Sequence, residues 1–180
     1  MISPLPVEEE VTSWNEETAA GIREIRRTYT QSGMYRNDGS TEPLWTVDWY
    51  AYGVHLTSDG VHLIRPGGWG RLRADMTPDF DSEAVSFFAN GRLLRTYRIG
   101  ELVDDLDPFE RSASHFRWQQ EGRVGGEFAY TITTLDGNRF VFDVRTGEIV
   151  SESRRLSRWG WRVALGVAAL VVAEWLIYRR

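Results

Sequence analysis

Apolar and polar residues follow two different rhythms along this chain. From residue 44 to about residue 150 they alternate in short runs broken by turn residues, whereas Val163 to Ala173 is apolar without interruption. Alternation predicts strands, because successive side chains of a strand point to opposite faces. The run LWTVDWYAY, from Leu44 to Tyr52, is crowded with aromatic and β-branched residues. It places Trp45, Val47, Trp49 and Ala51 on one face and Thr46, Asp48, Tyr50 and Tyr52 on the other. Three hairpins follow, each with a tight-turn pair at its bend: VHLTSDGVHLI around Asp59-Gly60, VSFFANGRLLRTY around Asn90-Gly91, and AYTITTLDGNRFVFDV around Asp136-Gly137. Arg145-Thr146-Gly147 then turns into Glu148-Ile149-Val150. The expected fold is mostly β: an antiparallel meander of about seven strands, curled into a sandwich or half-barrel. The stretch GELVDDLDPFERSASHF reads as a short helix and loop covering one sheet edge.

Residues 1–20 form an acidic, Pro-containing arm that leads into a short helical segment. Val11, Trp14, Thr18, Ile22, Ile25 and Tyr29 recur at three- and four-residue steps, but Gly21 interrupts them and IREIRRTYT reads equally as a strand. Residues 21–153 are expected to be a soluble β-rich domain, and residues 154–180 a basic flank and one transmembrane α-helix. Trp159 to Tyr178, as a helix, spans about 28 Å against a bilayer core of about 30 Å. Trp159 and Trp161 make one aromatic girdle, and Trp175 and Tyr178 the other, with Arg179 and Arg180 beyond it. Arg162 and Glu174 lie near the two ends, where long side chains reach the headgroups. A buried amphipathic helix is the other reading of this segment, but it lacks a polar face. Gly160, Ala164 and Ala168 fall at four-residue steps, followed by Ala169 and Ala173, a small-residue ridge that lets another helix approach. A simple Ala-rich anchor explains the same residues.

Charge sharpens this division. Residues 1–153 carry 15 Arg against 25 acidic side chains, and residues 154–180 carry six Arg and one Glu. An acidic body excludes nucleic acid as a partner, while the basic tail suits anionic headgroups. The four Arg on the near flank (Arg154, Arg155, Arg158 and Arg162) outnumber the two on the far side, and MISPLPVEEEV has neither a basic nor an apolar signal region. Both features place the β-domain on the cytoplasmic side of a bacterial inner or intracytoplasmic membrane. All basic residues except the three His are Arg, which reflects either base composition or a use for bidentate contacts. There is no Cys, hence no disulfide framework and no thiolate metal site.

No catalytic, metal-ligating or cofactor-binding set stands out. His55 and His62 flank the Asp59-Gly60 bend and are expected to face each other as a cross-strand polar pair. His115 sits among hydroxyls in SASHFRW without a third triad partner. Asp75, Asp79, Asp81 and Glu83 form one acidic loop, and Asp104, Asp105, Asp107 and Glu110 another. Neither has the Gly of a Ca²⁺ loop, so they read as solvated loops or as patches meeting a partner's Arg residues. Eight Trp in so short a chain suggest flat contact surfaces. The candidates for a protein interface are Trp14, Tyr50, Tyr52 and above all Trp69, displayed between glycines in RPGGWGRLR.

The runs SGMYRNDGSTEPLWTVDWYAY, SDGVHLIRPGGW, SFFANGRLLRTY and SHFRW resemble a small bacterial β-domain with no assigned chemistry. With its Arg-rich C-terminal helix, the whole chain also resembles an accessory single-helix subunit of bacterial photosynthetic reaction-centre–antenna complexes. That resemblance implies a non-catalytic role bracing other membrane-protein subunits, with pigments or lipids belonging to those partners. The helix holds no His, so it is not expected to ligate a pigment. Two alternatives remain open: a membrane-tethered ligand-binding or sensor module, and a hydrolase using His115 or an acidic loop.

Overall fold

A computed structural model describes residues 16–51, 53–105 and 110–155. These residues form two helices and twelve strands. Helix α1 (Glu16–Thr28) leads into a two-stranded ribbon, β1 (Ser32–Tyr35) and β2 (Pro43–Val47). Then follow β3 (His55–Leu56), β4 (His62–Pro66), β5 (Gly70–Arg71), β6 (Glu83–Ala89), β7 (Arg92–Arg98) and helix α2 (Ile99–Leu102). The chain continues through β8 (His115–Phe116), β9 (Gln119–Val124), β10 (Ala129–Thr134), β11 (Arg139–Asp143) and β12 (Glu148–Ser153). All the pairings are antiparallel, in sheets ordered β3-β4-β6-β7 and β12-β11-β10-β9, with β5 beside β8.

The alternation sets which side chains meet. In β10, Tyr130, Ile132 and Thr134 are buried, and Phe140 and Phe142 of β11 lie on the same inner face. They pack against Val85 and Phe87 of β6, Tyr97 of β7, and Ile99 and Leu102 of α2 in one core. The rings mesh there: Phe87 lies 5.2 Å from Phe142, and Tyr97 lies 5.0 Å from it. Strand β6 is buried on both faces. Its Phe88 joins Trp45 and Leu63 in a second cluster, against which Met34, Val47 and Trp49 pack. The ribbon thus covers the far side of the β3–β7 sheet, tied down by the Trp45 indole N–H donating to the Gly60 carbonyl at 3.0 Å. The expected mostly β, antiparallel architecture is therefore present, with a ribbon laid over one sheet.

All three hairpins bend where the turn pairs stand. Asn90 and Gly91 both have positive φ (50° and 75°), the backbone that a two-residue hairpin turn requires. Two local expectations change. The IREIRRTYT ambiguity resolves as helix through Thr28, and α1 runs straight through Gly21, with Glu16 and Glu17 in its first turn and Arg26 and Arg27 in its last. The aromatic run from Leu44 is laddered only as far as Val47, although Trp49 still packs inward. The strand count exceeds seven because short pieces such as β3, β5 and β8 carry no alternation of their own.

Among the described residues no helix is long and apolar enough to cross a membrane. The segment expected to do so, with its girdles and its small-residue ridge, lies outside the described residues, as do Trp14 and Tyr52.

Candidate functional site

Trp69 owes its position to the glycines around it. Beyond Pro66 the chain runs against β6, where the Gly67 N–H donates to the Ala84 carbonyl at 2.9 Å. A Cβ on Gly67 would lie 1.8 Å from the Glu83 carbonyl oxygen, so only glycine permits this approach. The Gly68 carbonyl then accepts the indole N–H of Trp118 at 2.7 Å, and Trp118 is fully buried beneath the loop. On the near side, Arg65 is clamped by Glu83 through two bonds (Nε at 3.0 Å, Nη2 at 2.7 Å) and stacks over Trp49 at 4.5 Å. Trp69 itself remains 46% exposed, as its glycine neighbours suggested. Gly67→Ala is expected to cost about 2–3 kcal/mol, read as a fall in the urea midpoint. An unchanged midpoint would show that the loop does not need this contact.

Trp69 does not stand on a flat surface. It lines a pocket of about 250 Å³ with His55, Trp118, Gln119, Gly122 and Tyr130. The Tyr130 side chain is buried at its ring, and burial pushes its phenol up to about 12, so it stays protonated at neutral pH. Gly122 makes room for that hydroxyl, since a Cβ there would lie 2.0 Å from the phenolic oxygen. The His55 ring tilts against Tyr130 with centroids 5.7 Å apart. Gln119 contributes a buried Oε1 with no hydrogen-bond partner. Arg117 closes the rim, but its guanidinium is already spent on Glu110 (3.2 Å) and on the carbonyls of Gln119 (3.2 Å) and Gln120 (3.3 Å). Trp69 and the half-buried His55 ring offer stacking to an occupant, while Trp118 and Tyr130 lie buried beneath them.

The other candidates are distributed differently. His55 lies opposite Ile64, so the expected His55–His62 pair across the hairpin does not form. His62 Nδ1 instead sits 2.6 Å from Asp59 Oδ2. Asp59 also accepts from the Thr57 hydroxyl (2.5 Å) and from the Val61 and His62 N–H groups (2.8 and 3.1 Å), an Asx-type turn. Partial burial pushes its carboxyl up, but the bonds from Thr57, Val61 and His62 outweigh that and hold it well below the usual carboxylate range. Its stabilising effect is therefore complete above about pH 4 and is lost as pH falls toward the depressed folded value. Asp59→Asn is expected to lower stability at pH 7 by about 1 kcal/mol and to remove part of the acid-induced loss. Parallel stability–pH curves for the two proteins would refute this.

The described residues of the acidic loops pair with Arg residues of this chain, and Asp107 lies outside the described residues. Arg73 pairs with Asp79 at 3.3 Å, Arg98 with Asp81 at 3.2 Å, Arg65 with Glu83, Arg154 with Asp104 at 2.6 Å, and Arg117 with Glu110. Asp75 caps its own turn through the Thr77 hydroxyl and N–H. Among the described residues no three His, Asp or Glu side chains gather to hold a metal ion. His115 is exposed, and its Nδ1 lies 2.8 Å from the hydroxyl of adjacent Ser114, within one turn. Tyr50 is half-buried and lines a separate depression with Arg26, Gln31, Asp48 and Trp49. Gln119, Gly122 and Tyr130 carry no sequence signal of a site, because each stands in a strand pattern that signals sheet. Comparisons with protein-family models, with curated proteins and with solved structures find no match to this chain.

Proposed function

We propose that this chain is a non-catalytic binding module held at a membrane by its C-terminal segment, with the pocket beside Trp69 as its recognition site. One observation carries the reading. Trp69, 46% exposed, stands at the mouth of a pocket that His55, Gln119 and Gly122 also line, on a loop whose backbone is pinned to β6 through Gly67. A contact residue carried on a held backbone lowers the entropy cost of binding. The hydrophobic segment and its Arg flank give the proposed location, a bacterial inner or intracytoplasmic membrane with the β-domain on the cytoplasmic side. Ligand-observed NMR on the full chain in nanodiscs, against a small-molecule extract of the cell, tests it. Saturation transfer to at least one compound is expected from the wild type and not from Trp69→Ala. Equal signals from both proteins, or none from either, would refute the proposal.

A second reading is the accessory subunit that braces a multi-subunit membrane complex, such as a photosynthetic reaction-centre–antenna assembly. A separate feature favours it. The outer face of β9, β10 and β11 forms a shallow depression to which Arg123 and Arg139 contribute beside Thr131 and Thr133, a basic surface on an acidic domain. Such a face complements acidic loops of neighbouring subunits. Purification in mild detergent as a monodisperse, partner-free monomer would sink this reading.

A further inference from the structure

The chain leaves its last strand along the outer face of the sheet ordered β12-β11-β10-β9. Thr131 and Thr133 of β10, with Arg139 and Val141 of β11, alternate with the buried Tyr130, Ile132, Phe140 and Phe142, so they stand on that outer face. Register sets them in two cross-strand rows. Arg123, Thr131, Val141 and Ser151 form one, and Thr133, Arg139 and Ser153 the next. Arg123, Arg139, Ser151 and Ser153 are exposed. The side chains between the two Arg are short, so the face is shallow, and Val124 stands 47% exposed at its margin.

Charge is graded along this face. The row remote from Ser153 sets Asp143 opposite Glu148, whereas the two rows nearer the exit hold two Arg and no carboxylate. Beyond Ser153 come Arg154, Arg155, Arg158 and Arg162. Trp159, where the hydrophobic segment begins, stands six residues after Ser153, a reach of at most about 20 Å. Two carboxylates at the exit are engaged within the protein, since Arg154 holds both Asp104 and Glu152 at 2.6 Å. Arg139 and Arg155, both exposed, continue the positive charge of the tail onto the sheet.

We infer that this face rests on the anionic headgroups of the membrane that holds the chain, with its Arg139 end innermost. The inference rests on the membrane-held part of the proposed function and not on the Trp69 pocket. Lipid phosphates attract the Arg side chains, and the hydroxyls of a shallow face donate to the same phosphates without a shaped socket. The row of Asp143 and Glu148 is repelled, which tilts that end away from the surface. An acidic loop of a neighbouring subunit offers similar charge, but the bilayer lies within reach of the chain's own exit.

Methyl NMR on the full chain in nanodiscs that carry a gadolinium-chelating lipid tests this. In discs containing phosphatidylglycerol, broadening is expected to be strongest at Thr131, Thr133 and Val141. It should be weaker at Ala129, beside the acidic row, and least at Leu93, which is exposed on the other sheet. Discs of phosphatidylcholine alone, or high salt, should abolish the difference. Arg139→Gln should lower the ratio of docked to undocked protein about fivefold. Arg139→Lys should restore it, because headgroups read charge rather than bidentate geometry. The lipid comparison on the wild type needs no variant. Equal broadening in both lipids would overturn the inference, as would broadening greatest at Leu93. A polyglutamate peptide that shifts the Thr131 and Val141 methyls, where phosphatidylglycerol leaves them unmoved, would assign the face to a protein partner instead. If the chain stays in the discs and no methyl broadens, the docked face falls and the membrane-held reading stands. If the chain elutes apart from the discs, both fall.

Discussion

Phe87→Ala is expected to destabilise the fold by about 4 kcal/mol. Phe87 is fully buried at the centre of β6. Its ring lies 5.2 Å from Phe142 of the facing sheet and 6.4 Å from both Tyr97 and Tyr130. Gly147, in the turn between β11 and β12, presses on it from the side, since a Cβ there would come within 3.3 Å of the ring. Collapse of the surroundings would soften the loss, but here it is blocked. Strand β6 is laddered on both sides, to β4 and β7, and cannot move inward without breaking one ladder. Urea denaturation should show a lower midpoint with an unchanged slope, and thermal melting should fall by about 8–16 °C. Phe87→Leu should cost roughly a third as much. A loss below about 1 kcal/mol for the alanine variant would mean that the two sheets do not share this core.

Asn138→Ala is the second large effect, about 2–4 kcal/mol, and it arises from hydrogen bonding rather than volume. Asn138 is 1% exposed in the turn between β10 and β11. Its Nδ2 donates to the Leu102 carbonyl at 3.2 Å and to Asp104 Oδ2 at 2.9 Å, and its Oδ1 accepts the Arg155 N–H at 2.9 Å. One side chain thus joins a hairpin turn, the end of α2 and the chain leaving β12 toward the C-terminal segment. Truncation strands a buried carbonyl and an N–H together, which is why the loss exceeds that of an ordinary surface hydrogen bond. Asn138→Asp should be no better, because it replaces the donor with a third carboxylate beside Asp104 and Asp136. Amide exchange at Arg155 and Asp104 should accelerate in the alanine variant. Unchanged protection at both would refute the tie.

The features legible in the sequence were those written within a few neighbouring residues. Asn90-Gly91 and Asp136-Gly137 specify their bends because left-handed backbone is cheap there, and the alternation of β10 and β11 declares their inner face. Trp69 was readable as exposed because glycines on either side leave it nothing local to pack on. The IREIRRTYT run was not decidable, since its apolar spacing serves both periods; the charge order along α1 favours the helix that forms.

What only the tertiary structure decided depends on segments far apart in the chain. The acidic loops read from sequence as solvated loops or partner-facing patches, and only the fold brings Arg65, Arg73, Arg98, Arg117 and Arg154 of the same chain against them. The burial of β6 on both faces follows from a ribbon laid over one sheet, which no periodicity within β6 announces. The pocket gathers His55, Trp69, Gln119 and Tyr130 from four strands and loops. Turn chemistry and alternation are local energies, fixed by each residue's backbone preference and its neighbours. A pocket and its unpaired groups come from how distant surfaces pack, and that is settled only by the whole fold.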